Sequence, residues 1–264
     1  LRVLDRSAVS LDLKQLGFGE RERRLLGAVT RLPSGIVLVT GPTGSGKTTT
    51  LYALLNEIND PGVKVITVED PVEYDIEGVV QIPIHDDIGV TYAAVLRTVL
   101  RQDPDKILVG EVRDGETAAV AIEASLTGHT VFATVHTNDA PSAVTRLLDM
   151  GLEPYLLSAT LEVVLAQRLV RRVCSACKQS FEPDDELLRE LGPDAERVRG
   201  RQLYYGKGCD SCFRTGYRGR MVIAEILLMD ETLRRAILEG ESTGELRRRA
   251  RSAGMRSLRD SGLD

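Results

Sequence analysis

The stretch Gly41-Pro42-Thr43-Gly44-Ser45-Gly46-Lys47-Thr48, followed by Thr49, sets glycines, a lysine and hydroxyls in the order G-x-x-x-x-G-K-[ST]. Such glycines let successive backbone N–H groups turn toward a polyphosphate, and a helix starting there adds partial positive charge. Lys47 is placed to reach the β- and γ-phosphates of a nucleotide, and Thr48 to offer its hydroxyl to Mg²⁺. A second chemistry resides in Cys174-x-x-Cys177 and Cys209-x-x-Cys212, which have the spacing of a four-thiolate tetrahedral zinc site. With every ligand a thiolate and no open position, that zinc is expected to be structural. Redox pairs or two disulfides are the alternative, disfavoured because nothing thioredoxin-like surrounds either pair and the chain reads as cytosolic.

Carboxylates recur where apolar runs end. Lys106-Ile107-Leu108-Val109-Gly110-Glu111 reads as a buried strand delivering Glu111, which could hold a metal's water shell or polarise an attacking water. Glu69-Asp70-Pro71-Val72-Glu73 ends another strand, although carboxylates there also serve as plain helix caps. Arg97 and Arg101 lie four apart on one face of an expected helix, either as a salt-bridged surface stripe or as arginines that neutralise phosphate charge, from this chain or a neighbouring copy. Arg113, next to Glu111, is a weaker candidate of the same kind. His129 and His136 flank an apolar strand at an odd separation, which argues against a shared zinc. His136, near Thr134, Thr137 and Asn138, stands where a side chain could sense a γ-phosphate.

These residues need elements to hold them. Apolar, β-branched runs at Ile36–Thr40, Val63–Val68, Lys106–Val109 and Thr130–Val135 predict strands. Helical spacing at Thr48–Ile58, Thr91–Arg101, Gly115–Leu126 and Ala140–Asp149 alternates with them, as a parallel α/β sheet requires. Beyond Arg172 the rhythm stops, and the cysteine pairs bracket an acidic, helix-like segment, Pro183–Leu191, without a strand signal. From Asp230 the pattern is helical, with Leu233, Ile237 and Leu238 on one face and a capping box, Ser242-x-x-Glu245, opening a further helix. Arg247–Arg251 reads as a solvated helix face. The expected organisation is the end of a preceding domain and a linker over 1–20, an α/β nucleotide-binding core over 21–173, a zinc module over 174–216, and a C-terminal strand and helical segment over 217–264.

Composition narrows the classes. With 264 residues, 42% hydrophobic and 28% charged, the chain is that of a soluble globular protein, and no apolar run reaches the roughly 18 residues a membrane span needs. A net charge of −5 and aromatics at 4% with no Trp count against a nucleic-acid binder, and so against a DNA translocase built on the same phosphate loop. No Asn/Thr-Lys-x-Asp segment supports a guanine-specific switch, and a zinc scaffold without catalysis would leave Lys47, Glu73 and Glu111 unexplained. The first residue is Leu1 and no signal peptide is visible, so the chain reads as part of a longer protein.

Assembled, the segments resemble the hexameric ATPases of the secretion superfamily, which drive type II secretion and type IV pilus assembly. The "Asp box" of that family is matched by Ile66–Tyr74, the Walker B region by Leu100–Asp114, and the "His box" by Thr127–His129 through His136–Asp139. The resemblance runs from about Gly35 to Leu227 and implies a RecA-like core that hydrolyses ATP with Mg²⁺. It implies Glu73 as general base, Glu111 as the Walker B carboxylate, His129 and His136 as nucleotide-sensing residues, and Arg97 and Arg101 as charge-neutralising arginines. The tetracysteine module resembles the assembly branch rather than the retraction or conjugation branches, and Gly151–Ser158 with Ala166–Arg172 resembles its type II secretion members more than its pilus members. By resemblance, a hexamer works at the cytoplasmic face of the bacterial inner membrane on a secretion platform, contacted mainly through N-terminal domains absent from this sequence. The family also usually continues beyond the position of Asp264 through a further helix.

Overall fold

In the computed structural model, described over residues 12–263, each buried run of the sequence becomes a strand with its side chains shared between two cores. Helix α1 (Glu20–Val29) leads into β1 (Gly35–Thr40), α2 (Lys47–Ile58), β2 (Val65–Glu69) and β3 (Val80–Pro83). There follow α3 (Tyr92–Val99), β4 (Lys106–Val109), α4 (Gly115–Leu126), β5 (Thr130–Val135), α5 (Ala140–Asp149), α6 (Pro154–Thr160) and the long β6 (Leu161–Val173). The cysteine region holds β7 (Lys178–Phe181), α7 (Asp185–Leu191), α8 (Ala195–Val198) and β8 (Leu203–Gly206). The chain closes with β9 (Tyr217–Leu228), α9 (Glu231–Leu238), α10 (Thr243–Ser252) and α11 (Leu258–Gly262).

The main sheet runs β3-β2-β4-β5-β1-β6-β9, parallel except for β9, which pairs antiparallel with β6. This order sets β4, β5 and β1 side by side, so what leaves their C-terminal ends must meet at one edge. Side-chain alternation divides each strand between the faces: Ile36 and Leu38 join one core, Val37 and Val39 the other. Helices α1 and α2 cover the second core, while α3, α4, α5, α9 and α10 contribute to the first, a three-layer α/β/α arrangement.

Several expectations are corrected. Strand β2 starts two residues later than Val63 and ends on Glu69. Helix α3 stops at Val99 and tightens into a 3-10 turn, Leu100–Gln102, before Asp103 turns left-handed (φ 51°) ahead of Pro104. A residue before proline avoids the helical region, so an uninterrupted helix through Arg101 does not form. The cysteine region contains a strand pair after all, β7 with β8, whose short, exposed sequences carry no buried alternation to announce them. On α9, Leu233, Ala236 and Ile237 are buried while Leu238 is 53% exposed, because one residue's step turns a helix by about 100°.

Ser242 accepts from Glu245 N–H, but the Glu245 carboxylate turns to Arg248 and Arg249 rather than completing a capping box. The arginine row of α10 is ion-paired rather than merely solvated: Arg247 reaches Asp139 at 2.7 Å, Arg249 binds Glu241, and Arg251 lies 3.7 Å from Asp260. The segment 1–20, expected as the end of a preceding domain and a linker, lies outside the described residues over 1–11; in its described part, Leu13 and Phe18 are buried in the second core.

Strand β6 is buried from Val163 to Gln167 and then emerges, and β9 pairs with it along nearly its whole length. The exposed ends form a two-stranded arm that passes straight into Cys174, whose N–H bonds Gly216 O at 3.0 Å.

Candidate functional site

The phosphate loop leaves β1 and enters α2 through Gly46 (φ 87°), with Gly44 (φ 77°) also left-handed. A Cβ at Gly41 would lie 2.6 Å from both Gln167 O and Ser45 Oγ, so the loop packs flat against β6 only because glycine stands there. Gln167, fully buried, donates from Nε2 to Ser45 O at 2.8 Å and anchors the loop from the neighbouring strand. Thr40 Oγ1 accepts from Thr137 N–H at 2.9 Å, tying the root of the loop to the segment after β5. Lys47 Nζ donates to Gly41 O (2.9 Å) and Pro42 O (3.3 Å), so its ammonium is held at the mouth of the loop. Burial lowers the Lys47 pKa, against the opposing pull of Glu111.

A cleft of about 470 Å³ opens at this edge, lined by Thr43–Thr49 and by Glu69, Asp70, Glu73, Glu111, Arg113 and His136. The strand order explains the meeting: Glu111 follows β4, His136 follows β5, and the loop follows β1. His136 Nε2 lies 3.0 Å from Glu111 Oε1, and Arg113 Nε donates to Glu111 Oε2 at 2.7 Å. Arg113 also reaches Asp70 at 3.3 Å, and its hydrogen bond to Glu111 raises its pKa further. The Glu111 carboxylate is thus oriented by two cationic or polar partners while still facing the cleft, 21% exposed. Glu69 has another position: it is buried and accepts from Tyr52 Oη, Thr67 Oγ1 (2.5 Å) and Gln81 Nε2 (3.1 Å).

The sequence-derived candidates therefore separate. Lys47, Thr48, Thr49, Glu73, Glu111 and His136 share the cleft. His129 sits at the opposite end of β5, where Nδ1 lies 2.8 Å from Ala124 O and 3.1 Å from Thr127 Oγ1. Arg97 pairs with Glu116 of α4 at 2.9 Å and, with Arg101, lies outside the cleft lining. Tyr52, Tyr92, Gln167 and Arg220 escaped the sequence reading; Tyr52, Tyr92 and Arg220 line the cleft, and Gln167 lies behind it. Gln167 stands 122 residues from its partner, so no local pattern marks it.

The second cluster is formed by the cysteines. All four are free thiols, with ligand atoms within 4.8 Å of one another. Sγ separations are 4.0 Å for Cys174–Cys209, 3.8 Å for Cys177–Cys212 and 3.7 Å for Cys209–Cys212. A tetrahedron with metal–sulfur bonds of about 2.3 Å has edges of about 3.8 Å, whereas a disulfide needs about 2.05 Å. Backbone N–H groups of Gly208, Cys209 and Gly216 point at the sulfurs of Cys177 and Cys212 at 3.2–3.3 Å. The Cys209 N–H, foremost, brings the Cys212 thiol down to about 6, while burial pushes Cys177 up to about 12. Four thiolates held this close would repel one another, and a divalent cation is the natural compensation that would allow all four to ionise. The donor set and spacing thus fit a metal of tetrahedral, thiophilic type.

A mainly parallel sheet, a phosphate loop after β1 and a carboxylate after β4 define the RecA-like class of P-loop nucleotide-binding proteins. Within it, the chain belongs to the family described as "Type II/IV secretion system protein", whose profile matches residues 1–264. It is 52% identical over 242 residues to type II secretion system protein E of Dickeya dadantii, covering 92% of this chain and 48% of that protein. It is 48% identical over 263 residues to the type IV pilus assembly ATPase PilB of Thermus thermophilus, covering 100% of this chain and 30% of that one. Among solved structures it is similar to the pilus retraction motor PilT with bound ADP (TM-score 0.65, 26% identity, 100% of this chain and 69% of that one). The chain spans about half the length or less of these curated relatives. No helix among the described residues is long and apolar enough to cross a membrane.

Proposed function

We propose that this chain is the ATP-hydrolysing core of a type II secretion motor, working as a hexamer at the cytoplasmic face of the inner membrane to drive pseudopilus assembly and protein export. One observation carries the reading: Lys47, Glu73, Glu111 and His136 meet in a single cleft at the mouth of the phosphate loop, in a chain about half identical to type II secretion system protein E. In this scheme the loop amides and Lys47 bind the β- and γ-phosphates. Thr48 and Glu111 would hold Mg²⁺, which when bound neutralises charge between the phosphates. Glu73 takes the proton of the attacking water, His136 reads the nucleotide through Glu111, and Arg113 keeps that carboxylate in place.

Arg97 and Arg101 lie outside the cleft of their own chain, so their charge-neutralising part is assigned to the neighbouring copy's site. His129 is kept as a nucleotide-sensing residue only through β5, which joins it to His136. The cysteine tetrad would hold zinc as a structural cross-link of the 174–216 module.

The test compares Mg²⁺-dependent ATP turnover of the wild type with Lys47→Ala and Glu111→Gln, both expected to lose it. Near-normal hydrolysis by Lys47→Ala would refute the site. The 48% identity to PilB across the whole chain supports pilus assembly as the second reading. Restoration of protein export or of pili in the matching deletion strains separates the two.

A further inference from the structure

Resting on the assignment of Glu73 as the base, we propose that Tyr52 is a positioning residue that holds Glu73 in register with the phosphate loop. Tyr52 lies on α2, the helix the loop opens, and is fully buried although its hydroxyl is polar. That hydroxyl donates to the Glu69 carboxylate and accepts from Glu73 N–H at 3.3 Å. Glu69 is itself immobilised, 3% exposed, by Thr67 Oγ1 and Gln81 Nε2, so the phenol has one rigid acceptor behind it. Burial and the Glu69 hydrogen bond raise the Tyr52 pKa, which keeps the phenol protonated and the donor direction fixed. Its ring meets Tyr74 edge to face at 5.9 Å, gripping the other side of the Glu73 segment.

The phenol is therefore a direct bridge between the element that carries the phosphate loop and the backbone of the residue that must reach the attacking water. Displacement of a base by about 1 Å can cost up to about a hundredfold in rate, so this bond bears on turnover more than on nucleotide binding.

The experiment is a double-mutant cycle in the full-length assembled protein with Tyr52→Phe, Glu73→Gln and both together. ATP turnover, the KM for ATP, affinity for a fluorescent nucleotide and the melting temperature are read for each. Tyr52→Phe keeps the buried ring and is expected to lower kcat about tenfold with KM and affinity within about twofold, a change of about 1.4 kcal/mol in the barrier. In the Glu73→Gln background the same substitution is expected to cost nothing further. Unchanged kcat in Tyr52→Phe, or the full tenfold loss repeated on top of Glu73→Gln, overturns the proposal. So does a parallel loss of nucleotide affinity, which would make the hydroxyl part of the scaffold. Full turnover by Glu73→Gln alone refutes the base assignment itself; a Tyr52→Phe that is still slow in that case shows that Tyr52 does not act through Glu73.

Discussion

Replacing Gln167 by methionine isolates one hydrogen bond of the phosphate loop. Gln167 is fully buried, and its Nε2 is the group that meets Ser45 O, at 2.8 Å. Methionine keeps the length and volume and removes the amide, donor and acceptor together, so the β6 backbone that Gly41 packs against stays in place. The cost is then that of leaving the Ser45 carbonyl unpaired beside a buried chain, about 1–3 kcal/mol. Gln167 Oε1 is itself buried and unpaired, so its removal offsets part of that loss and brings the figure to the lower half of the range, about 1–2 kcal/mol. For a domain of this size that corresponds to a melting temperature lower by about 2–8 °C. Because Ser45 belongs to the loop, part of the same free energy is charged to nucleotide binding, and 1–2 kcal/mol weakens affinity roughly five- to thirtyfold. Thermal melts and titration with a fluorescent nucleotide measure both, and Gln167→Ala, which adds a cavity, should be worse on each. A methionine variant that melts and binds as the wild type does would show that the strand does not anchor the loop.

Metal analysis should find about one zinc per chain, with chelation or Cys177→Ser lowering thermal stability; a metal-free protein of equal stability would refute the tetrad as a structural cross-link. Asp260, held at about 2 by Ser257 at the N-terminus of α11 and by Arg197, is depressed below its usual value, so its contribution is present above about pH 4 and is lost as pH falls toward 2. The stability gap between wild type and Asp260→Asn should therefore shrink as pH falls from about 4 toward 2 in urea titrations, and a gap independent of pH contradicts the assignment. His136→Ala should lower kcat with little change in nucleotide affinity, since the imidazole touches Glu111 rather than the loop; equal loss in both would place it in binding.

Much of the core was readable because its signals are local. Buried parallel strands write themselves as short apolar runs, and a phosphate loop must be a contiguous Gly-rich segment between a strand and a helix. The cysteine pairs were equally plain, because each knuckle is built from neighbours in the chain. The strand pair β7–β8 was not, since both its faces are exposed and nothing apolar alternates. Nor was the emergence of β6 into the cysteine module, which depends on pairing with β9, about 45 to 65 residues further on.

At the site, the sequence by itself determined which chemical groups exist: a phosphate-binding loop, Glu73, Glu111, His136 and four thiols in metal spacing. Tertiary structure alone decided which of them meet. Two histidines seven residues apart in the chain end on opposite edges of the sheet because a strand runs between them, and only the one at the C-terminal edge faces Glu111. Arg97, matched by type, is turned to Glu116, whereas Tyr52, Gln167 and Arg220, silent in the sequence, are carried to the loop by the helix and strands around it. The physical reason is that a side chain's type is written at one position, while its partners are fixed by strand order and register, which join positions far apart in the chain.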